Sequence, residues 1–261
     1  MIVTFLTDFG LEDDFVGTCH GVIARIAPDA RVIDVTHGIA PQAVLQGAFV
    51  LRHTLPYLPV GVHLAVVDPG VGGARKAIAV EARDGRVFVG PDNGLLLLAA
   101  DTAGVVRAHE LAEPRFRLAG VSRTFHARDL FAPAAAHLAG GVAIDELGPA
   151  LDPAGLVRLA VPEATVEGGG IAATILAVDR FGNLATNVRR DQLAALGLEP
   201  GTRAEVDRRP ARCVETFGDV DPGGVALYED SYGYVAVAVR DGSAAELLGA
   251  HTGSDVTVRR P

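Results

Sequence analysis

Asp68 and Arg75, the two ends of one glycine-rich loop in this 261-residue chain, have the types and spacing to build a charged site, and His126 is an imidazole placed where it could serve one. Asp68 follows the apolar run Gly61-Val62-His63-Leu64-Ala65-Val66-Val67, and Pro69-Gly70-Val71-Gly72-Gly73-Ala74 then bends before returning Arg75. Apolar β-branched runs of this kind form buried parallel strands. Asp68 is therefore expected at a strand's carboxyl end, where open α/β sheets bind ligands. Arg75 can reach back as a permanent cation. His126, in Ser122-Arg123-Thr124-Phe125-His126-Ala127-Arg128-Asp129, stands just before a helix, where an imidazole can orient water or pair with Asp68. The competing reading is plain: a Pro-Gly turn with a surface ion pair, and a histidine that is only a satisfied polar residue.

Other loops carry polar groups beside glycine. Asp8, in Thr7-Asp8-Phe9-Gly10 directly after a first strand at Ile2–Leu6, is suited to accept two hydrogen bonds from a ribose diol. Asp13 and Asp14 read as the cap and first-turn acids of the helix that follows. Asp92 and Asn93 sit in a Pro-Asp-Asn-Gly turn, and His37 follows the second strand much as Asp8 follows the first. In Asp179-Arg180-Phe181-Gly182-Asn183 an aromatic beside glycine and asparagine can stack on a purine or grip an amino-acid backbone; a hairpin explains it equally. Tyr228, Ser231, Ser243 and Ala244 offer hydroxyls and backbone groups to an adenine edge or a carboxylate. Phosphate-loop, dinucleotide, nucleophile-elbow and zinc-protease signatures are missing.

The elements that must hold these residues fall into two sets. Residues 1–160 alternate short apolar strands with helices, the pattern of an α/β domain with a mostly parallel central sheet. Helices are expected over 14–26, over 42–55 with Pro41 at the first turn, and over 130–139. Proline and glycine accumulate over 161–170, which reads as a linker. Residues 171–261 show short strand-like runs and little helix, as in a smaller all-β, barrel-like domain. A net charge of −9 without basic clusters argues against a nucleic-acid partner. No apolar run approaches the roughly 20 residues of a membrane span. Cys19 and Cys213 are too few for a disulfide framework. With no leader-like segment before Ile2, a cytoplasmic protein is expected.

The ordered segments TDFG, DVTHGI, VVDPGVGGAR, GPDNGL, TFHARDLFAP, DRFGNLATN and GSAA run nearly end to end. On them the chain resembles the S-adenosylmethionine (SAM) hydroxide adenosyltransferases, relatives of the fluorinating and chlorinating enzymes. The resemblance implies an N-terminal α/β domain and a C-terminal β-barrel domain. It also implies a homotrimer, each site lying between the N-terminal domain of one subunit and the C-terminal domain of the next. Carried over by motif, it makes Asp68, Arg75 and His126 the water-activating set and Asp8, with Phe9, the ribose-side contact. Asp179, Phe181, Asn183 and Ser231 fall around the methionine part, Ser243 and Ala244 at adenine, with Tyr228, Asp92 and Asn93 also lining the site. Ala127 departs from the pattern: hydrolases usually carry Gly there, and fluorinating enzymes a Ser beside the halide.

The implied reaction is attack of water or hydroxide on the ribose 5′ carbon of SAM, giving adenosine and L-methionine. Asp68 and His126 would share the water's proton while Arg75 keeps Asp68 ionised. No cofactor and no metal are called for, SAM being the substrate. The alternatives are a SAM-dependent halogenase, a metal-dependent nucleosidase or phosphatase using Asp8, Asp13, Asp14 and Asp68, and a non-catalytic SAM or adenosine binder.

Overall fold

The computed structural model describes all residues, Met1–Pro261, and they fall into two units, Met1–Ala160 and Val161–Pro261. In the first, seven strands form one sheet: Ile2–Thr7 (β1), Arg31–Thr36 (β2), Val62–Val66 (β3), Ala77–Ala82 (β4), Val87–Pro91 (β5), Val105–Glu110 (β6) and Ala150–Leu151 (β7). Their order is β2-β1-β3-β5-β4-β6-β7. The first four in that order are mutually parallel, and β4, β6 and β7 extend the sheet antiparallel. The mostly parallel sheet read from sequence is thus present, with an antiparallel flank. That flank arises because β4 and β5 are joined by a tight turn around Gly85, which takes φ of +86°; a turn that short can only make a hairpin.

Side-chain alternation splits the core into two layers. Val3 and Phe5 of β1 and Val62, Leu64 and Val66 of β3 face Phe15–Ile26 (α1) and Ala132–Ala139 (α4). Leu6, Ala65 and Val67 face the other way, onto Val44–Thr54 (α2) and Leu97–Ala103 (α3). α1 buries Val16, Cys19, Val22 and Ile23, one stripe at helical spacing. α2 begins two residues later than expected, and Pro41 lies outside it. Gln42 adopts φ of +65° and donates its N–H to Asp8, which commits that stretch to a loop. α4 is preceded by a single π-helical turn, Ala127–Phe131, where a continuous helix from 130 was expected. α3 and β6 escape the sequence reading: Leu95-Leu96-Leu97-Leu98 is apolar all round, so it shows no helical period.

The second unit is built from Thr165–Glu167 (β8), Gly170–Val178 (β9), Leu184–Thr186 (β10), Arg203–Val206 (β11), Arg209–Cys213 (β12), Val225–Glu229 (β13), Val235–Val239 (β14) and Asp255–Arg259 (β15). The order is β10-β14-β13-β12-β11-β15-β9-β8, and β10 also pairs with β9, closing seven strands into a barrel with β8 outside. All neighbours are antiparallel except β12 and β13. Full closure leaves β8 as the sheet's one free edge. The stretch 161–170, read as a linker, contains β8, whose Thr165 lies opposite Ala172 of β9. Arg190–Ala195 (α5) and Ala244–Leu248 (α6) are short. Ile171, Ile175, Leu184, Leu227, Val235, Val237 and Val258 fill the barrel.

Candidate active site

Asp68 and Arg75 meet because of strand direction. β5 runs parallel to β3 and β4 runs antiparallel to β5, so the chain leaves β3 and enters β4 at the same edge of the sheet. No crossover helix intervenes, and residues 67–76 arch over the carboxyl end of β5. Arg75 Nε donates to both Asp68 oxygens at 3.0 Å, and Nη2 donates to Oδ2 at 2.5 Å. The two side chains are only 11% and 6% exposed, so this is a buried, charge-assisted pair and not the surface ion pair of the bland reading. Buried pairs add little to stability on balance; their usual return is in positioning charge. The guanidinium also lies 5.1 Å from the centre of the Phe131 ring, a cation–π support from a residue whose sequence position signals only core.

His126 arrives from a second loop. Gly72 takes φ of +75°, and a Cβ on it would collide with the Arg123 carbonyl oxygen. Glycine is required there for the 67–76 loop and the 122–126 loop to touch. The second loop is fixed by Asp129, 1% exposed, whose carboxylate accepts from Ser122 N at 2.8 Å and Arg128 Nε at 2.6 Å. Burial pushes that carboxyl up, but the hydrogen bonds from Arg128 and Ser122 outweigh it and hold it below the usual carboxylate range. The π turn that follows opens the helix at Ala127, which is buried; such turns recur at functional sites.

His126 Nδ1 lies 2.7 Å from Arg75 Nη2. A guanidinium only donates, so Nδ1 accepts and the neutral imidazole carries its proton on Nε2. Burial first, and the Arg75 cation next, push its pKa below the usual range. The sequence reading paired His126 with Asp68; in the structure Arg75 stands between them and is the partner of both. The result is a carboxylate with lone pairs left over at Oδ1, a fixed cation, and an N–H donor at Nε2.

Around this trio, Asn93 Nδ2 donates to Val67 O at 2.8 Å and tethers the backbone just before Asp68. Asp92 faces elsewhere and accepts from Val157 N at 2.9 Å. Asp8 accepts from Gln42 N at 2.8 Å, and Phe9 stacks edge-on with Phe15 and Phe125. Phe15 and Phe125 were not singled out from sequence; an aromatic at the start of an amphipathic helix looks like core. Asp14 precedes α1 but takes the Thr18 hydroxyl instead of a backbone N–H. Asp8, Asp13, Asp14 and Asp68 do not converge into a group whose ligand atoms could share an ion.

In the second unit the Asp179–Asn183 loop meets Ser243 and Ala244 at one end of β14, while the turn that carries Ser231 lies at the other. The β9–β10 connection is the hairpin considered from sequence. Asp179 Oδ1 accepts from the Phe181 and Asn183 amides at 2.9 Å, and Oδ2 accepts from Asn183 Nδ2 at 2.8 Å. Asp179 thus shapes its own loop and leaves the Phe181 ring 77% exposed. Gly182, at φ +80°, sits so close to Ser243 that any side chain would collide with it. Ser243 caps α6 by accepting from Glu246 N, and Ala245 N donates to Gly182 O. Ala244 is fully buried beneath. Burial, then the charges of Asp179 and Asp230, raise the Tyr228 phenol. Ser231 lies exposed in the turn between β13 and β14, a turn held by Asp230 Oδ1 accepting from Tyr232 N and Tyr234 N.

Both units match known family models. Residues 3–148 match the SAM hydroxide adenosyltransferase N-terminal domain and residues 173–257 the C-terminal domain of that family. A protein of Salinispora tropica named (R)-S-adenosyl-L-methionine hydrolase is 54% identical over 260 residues, covering 98% of this chain and 97% of its own. A fluorinase of an Actinoplanes species is 30% identical over 290 residues, covering 99% and 97%. A crystal structure of an uncharacterized conserved protein from Thermotoga maritima superposes with a TM-score of 0.88 at 36% identity, covering 99% and 100%. With both domains matched in order on the sheet and barrel described above, the chain belongs to the SAM hydroxide adenosyltransferase family.

Proposed function

We propose that this protein hydrolyses SAM to adenosine and L-methionine, with water attacking the ribose 5′ carbon. The observation that carries the reading is the half-buried Asp68–Arg75–His126 array at the carboxyl edge of the parallel strands. The C5′–S bond breaks as a C5′–O bond forms, the electron pair going to sulfur, so methionine leaves as a neutral thioether without an acid. What the site must supply is a placed, partly deprotonated nucleophile. Asp68, held by Arg75, takes the water's proton and later passes it to solvent, while His126 Nε2–H donates to the same oxygen and aims it. Sulfonium and developing hydroxide cancel charge as they meet, which a dry pocket favours over water.

Asp8 and Phe9 serve the ribose. Asp179, Phe181, Asn183 and Ser231 serve the methionine part, Ser243 and Ala244 with Tyr228 the adenine. The relatives' name specifies the (R) configuration, and we assign that sulfonium epimer to this chain. Halogenation is the weaker reading: the relatives at higher identity are named hydrolases, and Ala127 presents a methyl group where a halide would want a donor. The protein acts as a homotrimer with sites between subunits, in the cytoplasm; for the compartment, two buried free cysteines fit a reducing one.

Incubation of purified protein with a mixture of the two SAM epimers in ¹⁸O-water, with and without chloride or fluoride, tests this. One ¹⁸O in the adenosine 5′-hydroxyl and loss of the (R) epimer are expected. Label in methionine, 5′-halo product, or unchanged SAM after long incubation overturns it.

A further inference from the structure

At the edge strand of the first unit, three potential ligands converge that the proposed reaction does not use: His20 on α1, Asp34 on β2 and His37 just beyond β2. His20 Nε2 lies 2.9 Å and His37 Nε2 3.1 Å from Asp34 Oδ1, and the three ligand atoms fall within 4.8 Å of one another. The geometry points to a divalent transition-metal site of two imidazoles and one carboxylate. Metal–ligand bonds of about 2.1 Å in a tetrahedral site place ligand atoms about 3.4 Å apart, a few tenths of an ångström beyond both measured edges.

The second observation is the state of His37. Its side chain is 4% exposed, yet Nε2 makes no hydrogen bond, although Asp34 Oδ1 is 3.1 Å away. If Nδ1–H donates to Thr7 Oγ1, 2.8 Å away, then Nε2 is a bare lone pair facing a carboxylate oxygen. If Thr7 donates instead, a buried N–H points past its acceptor. A cation between Nε2 and Oδ1 removes the difficulty in the first tautomer, and the buried Thr7 hydroxyl accepting from Nδ1 would fix the ring as carboxylates, carbonyls or waters do for ligating imidazoles. The Phe5 ring packs against both imidazoles, at 5.9 Å from His20 and 4.8 Å from His37, and dries the inner wall. Asp34 and His20 are 44% and 34% exposed, so an ion can enter from outside and keep solvent in its open positions. Imidazole and carboxylate donors suit zinc, cobalt, nickel or ferrous ions better than calcium or magnesium.

The site also has a route to the substrate loop. The His37 carbonyl accepts from Gly10 N at 2.8 Å, and Thr7 Oγ1 accepts from Phe9 N at 3.2 Å, so an ion on His37 anchors the loop that carries Asp8.

Untagged protein stripped with a chelator and titrated with CoCl₂, then ZnCl₂, tests the assignment. Expected are visible d–d bands saturating at one cobalt per chain, their loss on zinc addition, and slower amide exchange at Gly10. His20→Ala, a partly exposed helix position, and His37→Gln should each weaken binding at least about tenfold, and Asp68→Asn should leave it unchanged. Absence of saturable cobalt binding overturns the proposal. So does equal affinity in a His20→Ala variant whose thermal melt matches the parent, since the ion is then elsewhere.

Discussion

Asp68 is an ordinary carboxylate made useful by what holds it. Arg75 gives it two hydrogen bonds from Nε and one from Nη2, and spends its remaining reach on His126 Nδ1. Lysine would keep the charge, but a single ammonium cannot fork across both partners. Arg75→Lys should therefore lower kcat by about 100-fold, the scale of losing a positioned catalytic group, while KM stays within a few-fold; steady-state assay of adenosine release reads both. His126 has a different role, because its accepting nitrogen is already taken. Glutamine can mimic both of its bonds, with the amide oxygen accepting from Arg75 and the amide nitrogen donating to the nucleophile. His126→Gln should keep activity within about tenfold of the parent, and His126→Leu should lose on the order of 10²–10³. The parent's acid limb should lie below the ordinary imidazole range, since the neutral ring is favoured by burial and by Arg75, and that limb should vanish in the glutamine variant. Equal losses in the two variants would make His126 the base.

The array exists only because two loops touch, and Gly72 is where they do. Alanine there must hold φ near +75° and push a methyl into the Arg123 carbonyl. Gly72→Ala should cost about 1–3 kcal/mol in urea unfolding and reduce kcat further than its stability loss explains, because His126 is displaced from Arg75. The strand beneath carries its own pH liability. His63 on β3 is fully buried, bonded to Thr4 through Nδ1 at 2.8 Å with Nε2 unpartnered; burial, with a smaller part from Arg86, pushes it down to about 4. The folded state thus binds fewer protons than the unfolded chain, and the stability present above about pH 6.5 drains away as pH falls toward 4. Between pH 7 and 4.5 that loss is on the order of 2–3 kcal/mol. His63→Leu should start less stable at pH 7, its Thr4 partner gone, but show a shallower acid decline in denaturant midpoints. Asp68 at a strand end, Asp8 after β1 and the barrel-like second unit were legible in the sequence because each depends on local residue types and period. The Arg75 bridge was not, since it depends on two loops 51 residues apart meeting at a glycine. Nor were β10, which is only three residues long, and β12, whose arginines and proline face solvent.

Across the whole molecule the chemistry divides cleanly. The first unit holds the Asp68–Arg75–His126 array, while the second presents an exposed aromatic and a capped helix start. A site that needs both can be completed within one chain or between neighbouring subunits, and the two cases separate in mixed assemblies. Asp68→Asn disables the first unit alone. Asp179→Ala dismantles the 179–183 loop, which that carboxylate holds by three hydrogen bonds, and disables the second alone. Each variant should be inactive by itself. Co-expressed in equal amounts with different tags, they assort at random. In a cyclic trimer with shared sites, about one quarter of sites then combine an intact first unit from one subunit with an intact second unit from the next. Every doubly tagged trimer carries one such site in three, so that fraction should recover about one third of the parent's activity, measured as adenosine per trimer. Sites completed within single chains would leave every mixed assembly dead, because no chain carries both intact halves.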